Sequence, residues 1–294
     1  MKKKTNGGDQ VRIDAHQHFW KIERNDYGWI TPEIPVLYRD FLPDDLRPEL
    51  REQKIDATVL VQAAPTLEET EYILELAAHE PFVAGVVGWL DPEHPDFREQ
   101  YNKLREHPKF VGLRVMIQEM EDSAKLLSPP FLQALSLFAE EDLPVDLLVL
   151  PHQLPHLEEM LDRVPGLRGV VDHLAKPPIA SGEIEPWRSR MAEIARHPGI
   201  CCKLSGMVTE AAADWKAEDF RTYIETVLEL FGPERIMFGS DWPVCLTAAT
   251  YADTVELLLG ALRERLSAEE IDAAFGTNAA RFYKLNFLSD GGAS

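Results

Sequence analysis

The sequence predicts one α/β domain folded as a distorted (β/α)8 TIM barrel. Eight short runs rich in Val, Ile and Leu recur along the chain, which is typical of parallel strands buried on both faces. Amphipathic helical patterns separate these runs. The 294 residues, 45% of them hydrophobic, suit a single barrel of about 250 residues. A doubly wound open sheet is the alternative, although no glycine-rich nucleotide-binding motif follows any run.

The elements alternate in chain order. Thr66 with Glu69, and Ser267 with Glu270, have the spacing of a capping box, which predicts a helix start at each place. We expect the domain to span residues 11–288, with flexible tails at 1–10 and 289–294. The predicted strands cover residues 12–17, 57–62, 82–89, 110–116, 144–150, 167–172, 200–204 and 235–240. The predicted helices cover residues 43–54, 66–79, 129–141, 154–163, 185–197, 217–231 and 251–265, with a further helix after 267.

The composition excludes some classes of function. Fifty acidic residues against 30 basic ones give a formal charge of −20, which opposes nonspecific binding to nucleic acid or to anionic membranes. Three cysteines form neither a disulfide framework nor a metal-binding CxxC pattern. No signal peptide or membrane-spanning run is apparent in the sequence, so we expect a cytoplasmic protein.

The first predicted strand carries two histidines with a common direction. Side chains alternate between the faces of a strand, so His16 and His18 point the same way. Two converging imidazoles can bind a divalent metal or polarise a carbonyl. Asp241 follows the eighth predicted strand and would add a carboxylate at the same edge. Chance placement of two surface histidines is the alternative.

Further polar residues follow other predicted strands, and TIM barrels carry their active sites at these carboxyl ends. Arg114 and Lys203 could instead pair with surface acids, and His152 could be solvated in a loop. The remaining histidines, 79, 94, 107, 156 and 197, fall in or beside helices and receive no role. The candidates at strand ends are His16, His18, Gln62, Arg114, His152, His173, Lys203 and Asp241.

The connection between the first strand and the first helix is long and rich in aromatic residues. It includes Trp20, Tyr27, Trp29 and Tyr38. Long ordered loops are often lids or binding loops, and aromatic rings can form the walls of a sugar site. The alternative is that these rings only plug one mouth of the barrel.

Five motifs spread from residue 14 to residue 244 resemble the amidohydrolase superfamily. They are DAHQHFW (14–20), GLR (112–114), DHLAKP (172–177), CKLSG (202–206) and GSDWPV (239–244). Within the superfamily, the chain resembles the amidohydrolase-2 branch, with sugar-lactone hydrolases of the L-fuconolactonase and L-rhamnonolactonase type. The resemblance implies an amidohydrolase-like barrel that opens an aldonolactone, such as fucono- or rhamnonolactone, in carbohydrate catabolism.

The resemblance also implies roles for the candidates. His16, His18 and Asp241 would hold at most one divalent ion, zinc, with His152 as a further candidate ligand. Some members of the branch hydrolyse lactones without a required metal, so a metal-independent reaction stays open. Asp241 would accept a proton from water and return it to the leaving oxygen, assisted by His173 and Arg114. The expected substrate-binding residues are Gln62, Lys176, Lys203, Trp20, Trp89 and Trp242.

Two other functions compete with lactone hydrolysis. One is hydrolysis of a carboxylated lactone, or decarboxylation, in the breakdown of aromatic compounds. Such substrates need several arginines, whereas the strand ends offer chiefly Arg114. The other is a noncatalytic barrel that binds metal or sugar. The expected partner is a small lactone rather than nucleic acid or membrane, and the sequence leaves monomer and dimer open.

Overall fold

The computed structural model describes residues 11–285 and confirms the predicted barrel. Eight parallel strands follow one another around it in chain order, each hydrogen-bonded to the next. Their interiors are almost wholly buried, as expected for strands with helices outside and packed side chains inside. The strands are β1 (Ile13–Gln17), β2 (Ala57–Val61), β3 (Val83–Gly88), β4 (Phe110–Met116), β5 (Val145–Leu148), β6 (Gly169–Val171), β7 (Ile200–Leu204) and β8 (Ile236–Phe238).

Helices fill the gaps between the strands, and every predicted helix is present. Two further helices, Phe97–Leu104 and Asn278–Phe282, were not predicted. The first is largely polar and buries only Tyr101 and Leu104, and the second is only five residues long. The helices are α1 (Pro43–Gln53), α2 (Leu67–Ala78), α3 (Phe97–Leu104), α4 (Pro129–Glu140), α5 (Leu154–Arg163), α6 (Trp187–Ala195), α7 (Ala217–Phe231), α8 (Tyr251–Arg263), α9 (Ala268–Asp272) and α10 (Asn278–Phe282).

The C-terminal helix α10 covers the amino-terminal ends of the strands. The Asn278 side-chain amide donates to the carbonyl of Ile236 at the start of β8, at 2.8 Å. Phe282 and Tyr283 pack with strand residues such as Val170 and Met237 in one buried apolar cluster. Within residues 11–285, this packing therefore covers the amino-terminal end of the barrel and leaves the carboxyl ends of the strands for a ligand.

The seam between β1 and β8 is closed by short contacts rather than by a regular ladder. The Asp241 amide donates to the His16 carbonyl at 2.8 Å, and the His18 amide donates to the Trp242 carbonyl at 2.7 Å. The buried Asp14 carboxylate accepts the Ser240 amide at 2.8 Å and the Tyr251 hydroxyl at 3.1 Å. Asp14 thus joins β1 to the segment after β8 and to α8.

Parts of the predicted domain description fall outside the described residues. The boundary at 288 and both predicted tails, 1–10 and 289–294, lie there, so the domain bounds stay a prediction. Between residues 11 and 285, none of the helices has the length and apolar character needed to cross a membrane.

Asp14→Ala is expected to weaken the barrel seam. The variant leaves three buried donors, the His16 and Ser240 amides and the Tyr251 hydroxyl, without this acceptor, which should lower the free energy of unfolding by about 1–3 kcal/mol. Urea unfolding measures the change. Asp44→Ala is the control, because the Asp44 side chain is 95% exposed, and its effect should stay within about 0.5 kcal/mol. Equal effects of the two substitutions would contradict this role of Asp14.

Candidate active site

Three imidazoles and one carboxylate meet at the carboxyl ends of the strands. The Asp241 Oδ1 atom lies 3.3 Å from His18 Nε2, 3.8 Å from His16 Nε2 and 3.9 Å from His173 Nε2. The two Nε2 atoms of His16 and His18 are 3.2 Å apart. All four side chains are at most 6% exposed. The centre is therefore a compact and almost completely buried set of nitrogen and oxygen atoms that can bind a metal.

Partners on the far side of two imidazoles fix their orientation. His18 Nδ1 lies 2.8 Å from the Val61 carbonyl, which can only accept, so Nδ1 donates to it and Nε2 faces the centre. His173 Nδ1 lies 2.9 Å from the Ser205 hydroxyl. Such outer contacts set the tautomer and direction of metal-binding histidines in other proteins.

Behind His16 lies a buried ion network. The Lys203 ammonium bonds to Asp146, lies 3.2 Å from Asp172 and contacts His16 Nδ1 at 3.1 Å. The Tyr283 hydroxyl donates to the second oxygen of Asp146 at 2.7 Å. Asp172 also lies 3.3 Å from His16 Nδ1. The network holds the His16 ring so that its Nε2 atom faces Asp241.

The environment sets the charges of the centre. Burial and the Lys203 ammonium hold the pKa of His16 well below its usual range. Burial likewise lowers the pKa of His173 to about 4. Burial by itself raises the pKa of Asp241, but the imidazoles of His173, His18 and His16 lower it well below its usual range. At neutral pH the centre therefore combines neutral His16 and His173 with an ionised Asp241.

The donor set fits one zinc ion. Zinc binds neutral imidazole and carboxylate at about 2.0–2.1 Å, which places ligand atoms of a tetrahedron roughly 3.3–3.4 Å apart. The separations of 3.2 and 3.3 Å around His18 match this spacing. His16, His173 and Asp241 also offer ligand atoms within 4.8 Å of one another. His173 thus adds a fourth donor beside His16, His18 and Asp241.

A small cavity opens onto this centre. Its volume is about 150 Å³, below the roughly 300–1,000 Å³ of pockets for drug-sized ligands, so it suits a single small ring. The predicted residues that line it are His18, Arg114, His173, Lys176 and Asp241. Trp29, from the long loop whose rings could form the walls of a sugar site, also lines it, as do Gln118 and Glu119, which received no role from the sequence.

Arg114 is the cationic group held beside the centre. Its guanidinium donates to the backbone carbonyl of Gln62 and to the Gln62 side-chain oxygen, the latter at 3.0 Å. A second nitrogen of Arg114 lies 3.7 Å from Asp172. Gln62 therefore positions Arg114, and its own Nε2 atom has no partner among the described residues.

Comparison with known proteins identifies the family. Residues 13–285 match a family model described as Amidohydro_2, Amidohydrolase. The chain belongs to this amidohydrolase family. It is 40% identical to an L-fucono-1,5-lactonase from Burkholderia ambifaria, over 94% of this chain and 96% of that protein. A second L-fucono-1,5-lactonase, from Burkholderia multivorans, is 39% identical over 94% of this chain and 96% of that protein. The predicted family and the predicted class, a hydrolase, are confirmed.

Solved structures agree with the fold. A crystal structure of an amidohydrolase from Burkholderia multivorans with bound zinc has a TM-score of 0.88 and 39% identity, covering 94% of this chain and 99% of that one. The structure of a 2,6-dihydroxybenzoate decarboxylase has a TM-score of 0.68 at 15% identity, and the match covers 94% of this chain and 100% of that one. The second likeness shows the barrel fold alone.

Several residues predicted for the site of this amidohydrolase do not reach the cavity. His152 is exposed, because the short helix Pro151–Gln153 turns it to solvent, so it is not brought to the donor set. Lys203 is fully buried within the ion network and has no surface for a substrate. Both predictions are corrected by these positions.

The predicted tryptophan walls also need correction. Trp20 has no exposed surface, because it packs against Phe41 and donates to the Arg39 carbonyl at 2.8 Å. Trp242 is 2% exposed and also packs against Phe41. Trp89 does not line the small cavity; it lines a larger groove of about 750 Å³, which shares Arg114, Met116 and Glu119 with that cavity. The long loop therefore mainly plugs the barrel mouth, while its Trp29 faces the small cavity.

Backbone conformation places two of the four central residues. Residues 173–176 all have left-handed φ angles of 50–57°, and Asp241 has a φ of 57°. Such conformations cost roughly 1–2 kcal/mol per residue outside glycine and cluster at functional sites. Gly206, itself at φ 60°, packs so closely on His173 that a Cβ atom would lie 2.6 Å from its Nδ1 atom. The CKLSG motif thus makes room for the His173 ring.

Gly206→Ala is expected to displace His173. The new methyl group would push the ring from the centre and weaken zinc binding by about 10- to 100-fold, as losing an outer contact of a ligand does. Isothermal calorimetry with zinc alone measures the affinity. Gly182→Ala is the matched control, because Gly182 has a similar φ of 71° but nothing within 4 Å of an added Cβ. Equal zinc affinities of the two variants would contradict the packing argument.

Proposed function

We propose that this amidohydrolase hydrolyses a neutral sugar lactone, such as L-fucono-1,5-lactone. The observation that carries the proposal is the ionised Asp241 carboxylate, surrounded by three imidazoles at a cavity of about 150 Å³ that Arg114 also lines. The two L-fucono-1,5-lactonases at 39–40% identity support the same chemistry. A lactone ring is of the size that this cavity suits.

The chemistry assigned to these residues is hydrolysis of an ester bond within a ring. Asp241 accepts a proton as water attacks the carbonyl carbon, and the new carbon–oxygen bond forms a tetrahedral intermediate. Arg114 stabilises the negative charge on the carbonyl oxygen. The ring carbon–oxygen bond then breaks, Asp241 returns the proton to the leaving oxygen, and a hydroxy acid is released. If no ion is bound, the neutral His173 imidazole orients the water.

A divalent ion, zinc, is part of the proposal. His16, His173 and Asp241 would hold it together with His18, whose Nε2 atom lies 3.2 Å from His16 Nε2 and 3.3 Å from Asp241. A relative with 39% identity contains bound zinc, which supports a metal in this family. Bound there, zinc would lower the pKa of a water ligand to about 7 and so supply a nucleophile at neutral pH. A metal-independent reaction is the alternative that metal removal tests.

The charges around the cavity favour a neutral substrate over a carboxylated one. Arg114 is engaged by Gln62 and lies 3.7 Å from Asp172. Lys176 pairs with Glu210 at 3.4 Å. Glu119 adds a negative charge to the lining. A substrate carboxylate would therefore find little unpaired positive charge at this cavity.

The cellular setting follows from the proposed substrate. Cys201, Cys202 and Cys245 are all free, which suits a reducing compartment. We place the reaction in the cytoplasm, in the catabolism of a deoxy sugar, where a lactone from an oxidised sugar is opened to its acid.

Asp241→Asn is expected to keep the fold and to lower kcat by about 10²- to 10⁴-fold, because an amide can neither accept nor return the proton. A pH-indicator assay with L-fucono-1,5-lactone measures turnover, since each event releases an acid. The His152→Ala variant is the control and should keep full activity, because His152 is exposed. A folded Asp241→Asn enzyme with normal turnover would overturn the mechanism.

The wild-type enzyme also separates the competing functions. If the enzyme turns over carboxylated lactones but no neutral sugar lactone, its substrate is an intermediate of aromatic breakdown instead. A flat response to all lactones would favour a noncatalytic barrel.

Removal of metal should abolish most of the activity. After dialysis against a chelator, turnover is expected to fall about 10²-fold or more, and one equivalent of zinc per chain should restore it. Elemental analysis checks both the metal-free protein and the restored stoichiometry. Unchanged turnover in verified metal-free protein would show that the ion is not needed.

A further inference from the structure

The turn after β4 brings two consecutive polar residues to the reaction cavity. Gln118 and Glu119 belong to the short helix Ile117–Glu119 and line the cavity together with Asp241 and Arg114. Neither residue has a part in the chemistry assigned to Asp241, and neither belongs to the donor set.

The turn is held firmly in place. The Gln153 side-chain amide donates to the Ile117 carbonyl at 2.9 Å, and the Met120 amide donates to the same carbonyl at 3.0 Å. Gln153 is in turn fixed by the Leu150 amide, which donates to its side-chain oxygen at 3.0 Å. Ile117 itself is fully buried. Groups on such a turn are preorganised, so a ligand need not order them.

Gln118 and Glu119 each present an acceptor that no described residue pairs with. The Oε1 atom of Gln118 is buried and has no hydrogen-bond partner among the described residues. Glu119 is exposed and lines both the small cavity and the larger groove, and within residues 11–285 no basic side chain pairs with it. The nearby turn contains Lys125, but its ammonium pairs with Glu93 at 2.6 Å. A buried acceptor and an unpaired carboxylate side by side are suited to hydroxyl donors.

We propose that Gln118 and Glu119 form a hydroxyl-recognition subsite that determines the specificity of the enzyme. The proposal rests on the proposed function, because the ligand is the hydroxylated ring of the lactone whose carbonyl faces Asp241. Hydroxyl groups donate to Gln118 Oε1 and to the Glu119 carboxylate. A carboxylate substituent in the same place is repelled by Glu119 and cannot donate to either residue. The subsite therefore selects polyhydroxylated neutral lactones over carboxylated ones.

The test compares two lactones that differ in hydroxyl groups. L-Fucono-1,5-lactone carries them, whereas δ-valerolactone has the same ring without them. Glu119→Gln and Gln118→Leu are expected to lower kcat/KM for the hydroxylated lactone by about 10- to 100-fold, mainly through KM. The value for δ-valerolactone should change by less than about twofold, since that ring makes no such hydrogen bonds.

Glu121→Gln is the matched control. Glu121 is exposed in the same segment and lines only the larger groove, so its loss of charge should leave both substrates unaffected. Equal losses on both lactones, or no loss on the hydroxylated one, would overturn the subsite.

Direct binding keeps this test separate from that of the proposed function. If the wild-type enzyme hydrolyses neither lactone, the proposed function fails, and calorimetry with the corresponding hydroxylated lactam decides the subsite. The lactam should bind the wild-type protein at least tenfold more tightly than it binds Glu119→Gln. Equal affinities would contradict the subsite whatever reaction the enzyme catalyses.

Discussion

The structure of the site depends on one buried ammonium group. Lys203 lies between Asp146 and Asp172 and touches His16 Nδ1, with no exposed surface on any of the four. A buried charge without partners costs several kcal/mol, so removing any one member would leave the others uncompensated. Burial alone raises the pKa of Asp172, but Lys203 and His16 lower it well below its usual range. The network therefore stays charged and fixes the His16 ring from behind.

Much of the fold and the centre of the site could be predicted from sequence. Continuous apolar runs predicted eight buried strands, and all eight are present. The alternation of side chains along β1 predicted that His16 and His18 would converge, and their Nε2 atoms are 3.2 Å apart. The backbone of β1 is less regular than that of an ideal strand, because the pairing of β1 with β2 shifts register between Asp14 and Gln17. Asp241 lies beside them because it follows β8, and the carboxyl ends of parallel barrel strands all lie at the same end of the barrel.

The remaining roles depend on tertiary contacts that no local pattern contains. Lys203 occupies a strand-end position like that of a substrate-binding residue, and only its contact with Asp146 on β5 shows that it is internal. His152 follows a strand by a few residues, yet a short helix turns it outward while Gln153 turns inward. Gln118 lies next to the cavity because Gln153 holds the turn after β4. Contacts between distant segments decide all three cases.

The proposed reaction takes place where Asp241 meets the three imidazoles. A crystal structure of the wild-type protein with a sugar lactam, which resists hydrolysis, is the sharpest test. We expect the lactam in the small cavity, with its carbonyl group between Asp241 and Arg114 and its hydroxyl groups on Gln118 and Glu119. A lactam bound in the larger groove beside Trp89, or one with its carbonyl turned away from Asp241, would contradict this proposal.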